Sequence, residues 1–224
     1  MKKLSWRNAF AEVFFIFIGI TLAIAFQNWN DERKERKLEI SVLKELQIAL
    51  KNDLEDINAN INTHLKGERN CKALLRGLSS DQPIDGDELL LRAVDATDFT
   101  FLISDVSAYE YLKSVGLHLF ENDTLRSQIS YVYDVVYESI RGLEDNGDAT
   151  QEALLNRLKL YYTADENNFR MIGIPDRIKK DNQLRFDIKA MEYIHSIMIG
   201  RYQRKVKPQV KKLITMVNQE LENK

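Results

Sequence analysis

The sequence predicts an all-α protein in which one N-terminal transmembrane helix is followed by an extramembrane helical bundle. An apolar run near the N-terminus and hydrophobic patterns with helical spacing support this prediction. The 224 residues include only nine glycines and three prolines, whereas average composition gives about 16 and about 11, and few helix-breaking residues favour long helices. We predict a short tail at residues 1–8, a transmembrane helix at 9–30 and one helical domain at 31–224.

Composition excludes several classes of protein. The 32 lysines and arginines nearly balance 34 acids, which excludes a uniformly basic nucleic-acid-binding chain. Hydrophobic residues make up 44% of the chain, enough to form a core and to exclude extensive disorder. Cys71 is the single cysteine, which excludes an intrachain disulfide framework and a thiolate cluster.

The apolar run covers residues 9–25 and reads AFAEVFFIFIGITLAIA, with Glu12 as its only charge. The 18 residues after Glu12 carry no charge, which is the lower end of the length that spans a bilayer. Trp6 and Trp29 lie on either side, 23 residues apart, a helical distance of about 35 Å. This is close to the hydrocarbon thickness of a bilayer, and tryptophan prefers the two interfaces. We therefore predict that the lipid bilayer is a partner and that both tryptophans are interface anchors.

Two other interpretations of the apolar run stay open. A cleaved signal peptide would have a basic start such as Met-Lys-Lys and a cleavage site such as Ala23-Ile24-Ala25, and a buried core helix would also be apolar. Glu12 is a costly residue within the apolar part of a signal peptide. No capping signal precedes the run, and tryptophan lies at both ends. We therefore favour an anchor that is retained in the mature protein.

Charges on the two sides of the predicted helix bear on its orientation. The N-terminal flank carries Lys2, Lys3 and Arg7, whereas the four bases after the helix are interleaved with three acids. Those four bases also precede a long domain, whose charges have less influence on topology. A short basic tail before one apolar helix is typical of an uncleaved signal anchor. We expect the N-terminus in the cytoplasm and the domain outside it.

One side of the apolar helix differs from the rest. At about 100° per residue, Glu12, Gly19, Ala23 and Asn30 lie within about 20° of one line; these four residues are called the seam below. Gly19 and Ala23 have the spacing of small residues that lets two membrane helices approach closely. We predict a helix–helix contact along the seam. In two alternative interpretations, Glu12 reaches the lipid headgroups or serves an ion or proton path.

Two blocks of sequence resemble a family of bacterial single-pass membrane proteins of unknown function that is common in Gram-negative bacteria. The first block comprises Glu12, Ile18-Gly19-Ile20, Leu22-Ala23 and Asn28-Trp29-Asn30-Asp31-x-Arg33. The second comprises Ser107-Ala108-Tyr109-x-x-Leu112-Lys113-Ser114-x-Gly116 and Asn122-x-x-Leu125-Arg126. The family typically has glutamine in place of Ala25 and serine in place of Val115. The resemblance implies this architecture and membrane anchoring, and it implies no activity. With the orientation expected above, we predict a single-pass protein of the bacterial inner membrane with a periplasmic domain.

Apolar residues follow a helical pattern beyond the membrane segment. They cover 22 residues in six steps, a mean of about 3.67 residues, so the stripe runs almost straight along a helix. Two interpretations stay open: one face of an intramolecular bundle, which we favour, or packing between copies near the membrane. The stripe consists of Leu43, Leu46, Leu50, Leu54, Ile57, Ile61 and Leu65.

Caps and helix-breaking residues predict the elements that follow. Gly67 and the turn-rich stretch 79–87 interrupt the chain. A helix begins near Ser107, where Glu110 completes a capping box, and it ends at Gly116.

A third helix and two further helices complete the predicted domain. Asn122 or Asp123 caps the third helix, and its buried face comprises Ile129, Val132, Val136, Ile140 and Leu143. A turn is predicted at 145–148, followed by helices at 149–163 and at 181–222, the last kinked or broken at Pro208. Phe99–Ile103 is the only plausible strand, and a single isolated strand is too little to form a sheet.

Patterns that indicate catalysis or metal binding are weak. His64, His118 and His195 lie far apart without the spacing of metal ligands, and we interpret each as a surface residue or a satisfied core residue. No serine or cysteine has the setting of a nucleophile, and no glycine-rich phosphate loop is present. The acids at 81–88 are interpreted as a solvated loop rather than a calcium site. The sequence predicts no enzyme, no cofactor and no metal.

A basic region lies near the C-terminus. Between residues 177 and 212, eleven bases stand against three acids, a net charge of +8 over 36 residues. A solvated face, anionic headgroups and the chain's own acidic stretch at 79–110 are the alternative interpretations, and no nucleic acid is expected as a partner. The predicted basic patch comprises Lys179, Lys180, Arg201, Arg204, Lys205, Lys207, Lys211 and Lys212.

The leading functional hypothesis is a membrane-anchored oligomeric scaffold or interaction protein. Its expected partners are the bilayer, further copies of the same chain and another membrane protein. A second hypothesis is a small channel or proton-coupled subunit that uses Glu12. A third is an extracytoplasmic ligand-sensing co-receptor.

Overall fold

The computed structural model of the chain describes residues 6–83, 85–164, 169–171 and 175–224, so most of the predicted tail at 1–8 lies outside it. The α-helices are α1 (Trp6–Ser79), α2 (Gly86–Thr97), α3 (Ser107–Val115), α4 (Asp123–Ser130), α5 (Glu138–Leu158), α6 (Pro175–Lys179), α7 (Asn182–Arg201) and α8 (Lys207–Glu222). A 3₁₀ turn covers Leu117–Leu119, and π-helical segments cover Tyr131–Val136 and Tyr202–Val206. The predicted all-α fold, a long N-terminal apolar helix followed by a helical bundle, is confirmed.

Helix α1 joins the apolar segment and the bundle without a break. It contains 74 residues, a length of about 110 Å. The side chains of residues 12–29 are exposed along all sides of the helix, whereas burial begins at Glu39. The same helix therefore forms both an isolated apolar segment and the longest element of the bundle.

Helices α7 and α8 run antiparallel to α1. Arg185, near the start of α7, donates to the carbonyl oxygen of Leu78 near the end of α1, at 2.5 Å. In α8, the amide of Asn218 accepts from Gln47 at 2.6 Å. The chain thus returns from the far end of the bundle towards the end at which the apolar segment emerges.

The apolar stripe of α1 forms the centre of this bundle. Five of its seven members are buried, and Leu54 and Leu65 are partly buried against the same core. Helix α1 packs chiefly against α7, α2 and α8 of the same chain. The favoured interpretation, one face of an intramolecular bundle, is therefore confirmed.

The segment between α2 and α3 has no regular secondary structure, so Phe99–Ile103, the one plausible strand in the sequence, is not a strand. Side chains of the bundle, rather than a neighbouring strand, satisfy its backbone. The Glu144 carboxylate accepts from the backbone N–H of Leu102 at 2.7 Å, and Asp53 accepts from that of Asp105 at 2.8 Å. Buried backbone groups need partners, and here carboxylates supply them.

The predicted turns at Gly67 and at 145–148 are wrong, because both lie inside helices. A Cβ atom at Gly67 would overlap the imidazole of His195, and one at Gly147 would overlap the ring of Phe99. These glycines allow another side chain to approach a helix closely. Glycine is also expected for close approach, as well as for turns.

Helix caps agree with the prediction at one site and differ at two. Asn122 caps α4 by accepting from the backbone N–H of Leu125, as predicted. The capping box at Ser107 is wrong, because Val106 occupies the N-cap and makes no side-chain bond. Helix α2 was not predicted, although Asp85 caps it by accepting from the backbone N–H groups of Asp87 and Glu88.

The C-terminal half departs from the prediction in one further place. The predicted helix at 149–163 is the end of α5, which stops at Leu158, and a short antiparallel pair follows with β1 (Tyr162–Ala164) and β2 (Phe169–Met171). The chain does not break at Pro208, because the helical backbone continues from α7 through the π-helical segment Tyr202–Val206 into α8, where Pro208 lies in the first turn. Proline at this position loses no helical hydrogen bond.

Candidate functional site

The apolar N-terminal part of α1 is the first candidate functional surface. It is the one helix of the described chain that is long and apolar enough to span a membrane, and none of its apolar stretch is buried within the chain. Trp6 and Trp29 are both exposed at the predicted interface positions. Large apolar side chains on every side of an unpacked helix are typical of a segment that is covered by something other than its own chain.

The seam and the bundle lie on opposite sides of α1. Leu46 and Leu50 lie at the centre of the buried face. Leu46 follows Gly19 by 27 residues, and Leu50 follows Ala23 by the same number, which is a rotation of about 180° around the helix. On the seam side, Ile48 is 59% exposed. The four seam residues therefore share a face that the bundle leaves open.

Glycine at position 19 has no explanation within the chain itself. A Cβ atom there would meet no other atom within 4 Å, unlike one at Gly67 or Gly147. The helix is also continuous at this point, so Gly19 marks no turn. Three seam residues are exposed and Asn30 is partly buried, so the geometry leaves the seam open to a second helix.

The structure divides the predicted basic patch into two groups. Lys179 lies at the far end of the bundle, where its ammonium donates to the carbonyl oxygens of Ser80 at 2.7 Å and Gln82 at 2.6 Å. Lys180 follows it, whereas the other six members lie between Arg201 and Lys212, towards the membrane-proximal end. The two groups are far apart, because the α7–α8 arm separates Lys180 from Lys212 by about 48 Å.

Where the structure describes them, the basic region meets the acidic stretch at 79–110 through carbonyl groups and one hydroxyl, and no ion pair joins the two. The carbonyl groups that Lys179 binds follow the end of α1, where unpaired carbonyls favour a cation. Arg185 donates to Ser79 Oγ and to the carbonyl of Leu78 at the same place. These contacts fix the far end of the bundle.

Two histidines that lie far apart in sequence meet in the core. The Nδ1 atoms of His64 on α1 and His195 on α7 are 3.0 Å apart, and both residues have no exposed surface. His195 Nε2 donates to the carbonyl of Ala96 at 3.0 Å, because a carbonyl oxygen only accepts. With both rings neutral, His195 Nδ1 then accepts from His64 Nδ1–H. His64 Nε2 is left as a buried acceptor without a partner.

Burial controls the protonation of this histidine pair. Burial and the neighbouring His195 lower the pKa of His64 to about 3, and burial also lowers the pKa of His195. The nearby thiol of Cys71 is equally shielded, since burial raises its pKa to about 12. The three groups are therefore neutral near pH 7. In the part of the chain that the structure describes, no set of three or more His, Cys, Asp or Glu side chains is placed to hold a metal ion.

A buried carboxylate holds the segment between α2 and α3 against α1. Asp53 accepts from the backbone N–H of Asp105 and from the Tyr137 hydroxyl at 2.6 Å. Burial raises the pKa of Asp53 to about 6, although both hydrogen bonds act in the opposite direction. Burial also raises the pKa of Glu144, the second carboxylate that binds this segment. Asp53 thus changes charge near pH 6 at the point where α1, the segment between α2 and α3, and Tyr137 just before α5 meet.

Comparison with known proteins gives one match. A sequence model of a family of unknown function, DUF6090, matches residues 12–158, from the first seam residue to the end of α5. This confirms the expected membership of a family without a known function. No curated protein and no solved structure matches the chain.

Proposed function

The chain belongs to the DUF6090 family of unknown function, and from this premise we propose that it is a membrane-anchored scaffold that self-associates through α1. Residues 9–30 span the bacterial inner membrane, with the N-terminus in the cytoplasm and the bundle in the periplasm. The partners are the bilayer, a second copy of the chain and, through the bundle, another protein. No catalytic activity is part of this proposal.

The observation that carries the proposal is the opposition of the seam and the bundle on one continuous helix. Two copies that pack along Glu12, Gly19, Ala23 and Asn30 place their bundles on the outside, away from each other. The membrane contact and the bundles therefore do not compete for space. Small residues let the two helix backbones approach closely, and this packing favours association of chains that share a bilayer.

Retention of the anchor is tested first. Mass spectrometry of the protein from native membranes should find an intact N-terminus, and protease added to spheroplasts should digest the bundle. A soluble chain that begins at Phe26 contradicts the anchor. Digestion only after lysis contradicts the orientation.

Self-association is tested with Gly19→Ile, which places a bulky branched side chain in the seam. The oligomer mass of the full chain in detergent should fall, because the two backbones can no longer approach. Thr21→Ile is the matched control, since Thr21 lies about 180° from Glu12 on the same helix. A wild-type chain that is already monomeric, or equal effects of both variants, contradicts the proposal.

Glu12 distinguishes a scaffold from a channel. Glu12→Gln keeps the hydrogen-bonding groups and removes the charge, so a scaffold should assemble unchanged. Purified wild-type protein in liposomes should show no proton or cation leak. A leak in the wild type that Glu12→Gln abolishes favours a channel, because an ion path needs an ionisable group in a water-accessible lumen.

A further inference from the structure

A cavity lies where the two π-helical segments of the bundle meet. Its volume is about 310 Å³, at the lower end of the range for pockets that bind small molecules. One wall comes from the segment Tyr131–Val136 and the start of α5, and the other from the end of α7, the segment Tyr202–Val206 and the start of α8. π-helical turns are rare and frequently lie at functional sites, and here two of them contact each other.

Three basic side chains line this cavity, and no acid lines it in the part of the chain that the structure describes. The bases are Arg201 at the end of α7 and Arg204 and Lys205 in the second π-helical segment. Spacings of three and four residues place them on one face, where like charges repel each other. No acid occurs along the chain between Glu192 and Glu220. The cavity lining therefore has a positive charge that its own residues do not neutralise.

The two acids next to lining residues on the opposite wall are bound to other partners. Asp134 accepts from the hydroxyl group of Tyr109 at 2.6 Å. Glu138 forms an ion pair with Arg141 at 2.8 Å. Neither acid is part of the lining, so the three bases are available to an external anion.

Gly200 allows the guanidinium group of Arg204 to lie against α7. Arg204 Nε donates to the carbonyl oxygen of Gly200 at 3.4 Å, and a Cβ atom at position 200 would lie 2.6 Å from a guanidinium nitrogen. Glycine inside a helix is less favourable than alanine, and no turn occurs here, because Gly200 lies within α7. The absence of a side chain at position 200 therefore serves the placement of this arginine.

The wall that faces the bases is largely apolar. Tyr131 is 44% exposed and Val135 is 51% exposed, and both line the cavity. Gln209 adds a donor beside the bases, since its amide oxygen already accepts from Gln128 at 3.0 Å and its NH₂ group is left. The cavity thus combines a cationic side with an apolar side.

The cavity lies far from the lipid headgroups. Tyr202, between Arg201 and Arg204, accepts from the side chain of Asn60 on α1 at 3.3 Å. Asn60 lies 30 residues beyond Asn30 along one unbroken helix, a distance of about 45 Å. With residues 9–30 in the bilayer, as proposed above, an anion in this cavity comes from solution.

We propose that this cavity binds a small soluble phosphate monoester with an apolar organic group. A phosphate monoester has nearly two negative charges at pH 7, and the forked donors of arginine match its oxygen atoms in pairs. Its organic group would lie against Tyr131 and Val135. The bound anion would also relieve the repulsion between the three bases. This ligand site goes beyond self-association at the seam and does not depend on it.

Isothermal titration calorimetry of the full chain in nanodiscs of zwitterionic lipid tests the proposal, with empty nanodiscs as the blank. The probe is phenyl phosphate, in a buffer without phosphate. Benzoate is the control, because it has a similar ring and a single negative charge. Phenyl phosphate should bind at least about tenfold more tightly than benzoate. Nanodiscs of anionic lipid should give the same affinity, because the headgroups lie several Debye lengths away.

Two double variants with the same loss of charge locate the binding. Arg201→Gln combined with Arg204→Gln should weaken the binding of phenyl phosphate by at least about tenfold. The matched control is Lys211→Gln combined with Lys212→Gln, two exposed bases outside the lining, and it should change the affinity little. Tyr131→Ala should weaken the binding of phenyl phosphate and leave that of inorganic phosphate unchanged.

Gly200→Ala tests the placement of Arg204 without removing a charge. The added methyl group displaces the guanidinium group, so phenyl phosphate should bind more weakly. The Tm should be unchanged or higher, because alanine favours helix, and this excludes unfolding as the cause. An unchanged affinity would contradict the role of Gly200.

Four results would overturn the proposal. No binding of phenyl phosphate to the wild type would exclude the site, and a chain that still assembles through the seam would limit this failure to the present inference. Equal weakening by the two double variants would show non-specific attraction. Benzoate that binds as tightly as phenyl phosphate would make the ligand a carboxylate. Binding that is lost in anionic nanodiscs would make a lipid headgroup the occupant.

Discussion

His64 and His195 share one hydrogen bond between their Nδ1 atoms, 3.0 Å apart, although 131 residues separate them in sequence. The pair connects α1 to α7 in a part of the core without solvent exposure. One proton lies between the two nitrogens, and a second proton would place two N–H groups against each other. A proton added to the free Nε2 of His64 would leave this bond intact but would create a buried charge without a partner. Burial therefore favours two neutral rings.

Acid should destabilise the bundle through this pair. The pKa of His64 is about 3 in the folded chain, and that of His195 is also lowered, whereas an exposed histidine titrates near pH 6.5. The unfolded chain thus takes up protons below about pH 6.5 that the folded chain does not. The free energy of unfolding falls as the pH drops from about 6.5 towards 3. At pH 4 the loss from His64 is about 3 kcal/mol, at about 1.4 kcal/mol per pH unit.

The variant His64→Asn tests this pH dependence, because its amide nitrogen can replace Nδ1–H as the donor to His195 but does not titrate. Urea unfolding of the full chain in detergent, followed between about pH 7 and about pH 4, should show a smaller loss of stability than in the wild type. His118 is exposed, so His118→Asn should retain the wild-type slope. A His64→Asn slope equal to that of the wild type would contradict the assignment.

Asp53 should have the opposite pH dependence. Its pKa is about 6 in the folded chain and about 3.9 when exposed, so the folded state favours the protonated carboxyl. Its contribution to stability is complete below about pH 4 and is lost as the pH rises through about 6. Asp53→Asn is neutral at every pH, and its amide can still accept from the backbone N–H of Asp105.

Comparison of Asp53→Asn with Asp53→Ala separates charge from hydrogen bonding. The stability of Asp53→Asn relative to the wild type should increase between about pH 4 and about pH 7, by up to about 3 kcal/mol. Asp53→Ala should destabilise by about 1–3 kcal/mol for each buried partner left unpaired. Urea unfolding in detergent measures both differences. A relative stability of Asp53→Asn that does not change with pH would show that the carboxylate stays ionised throughout.

Gly67 should tolerate no side chain. Gly67→Ala would force the imidazole of His195 to move, although both of its ring nitrogens are hydrogen-bonded, and overpacking of this kind costs about 1–3 kcal/mol. Gly77→Ala is the matched control on the same helix, since its Cβ would meet nothing and alanine favours helix by about 0.5–1 kcal/mol. Thermal unfolding should show a lower Tm for Gly67→Ala and an unchanged or higher Tm for Gly77→Ala. A Tm for Gly67→Ala at or above the wild-type value would contradict the close contact.

The helices that have strong periodicity and a clear cap were predictable from the sequence. The stripe from Leu43 to Leu65 and the cap at Asn122 were of this kind, because their signals depend on neighbouring residues only. The family match begins at Glu12, the first residue of the sequence block on which the resemblance was based. In contrast, Gly67 and Gly147 resembled helix breakers, and only the approach of His195 and Phe99 from other parts of the chain explains them.

The polar core was not predictable by the same reasoning. His64 follows Ile57 and Ile61 on the buried face of α1, and this position was the one signal that placed it inside. Its partner lies on another helix, so no spacing rule could connect them. Asp53 and Glu144 accept from the backbone of the segment between α2 and α3, and they lie on other elements of the bundle. The local sequence of Phe99–Ile103 therefore gave no sign that side chains, rather than a second strand, bind its backbone.

Disulfide cross-linking of the seam in native membranes tests the central claim most directly. Cys71 is the only native cysteine, and it is buried, so a new cysteine reports on its own position. If two copies pack along the seam, Ala23→Cys should form a disulfide on mild oxidation and double the mass of the chain on a non-reducing gel. Thr21→Cys, about 180° from Glu12 on the same helix, should remain a monomer. Equal cross-linking at both positions, or none at Ala23→Cys, would contradict self-association through this face of α1.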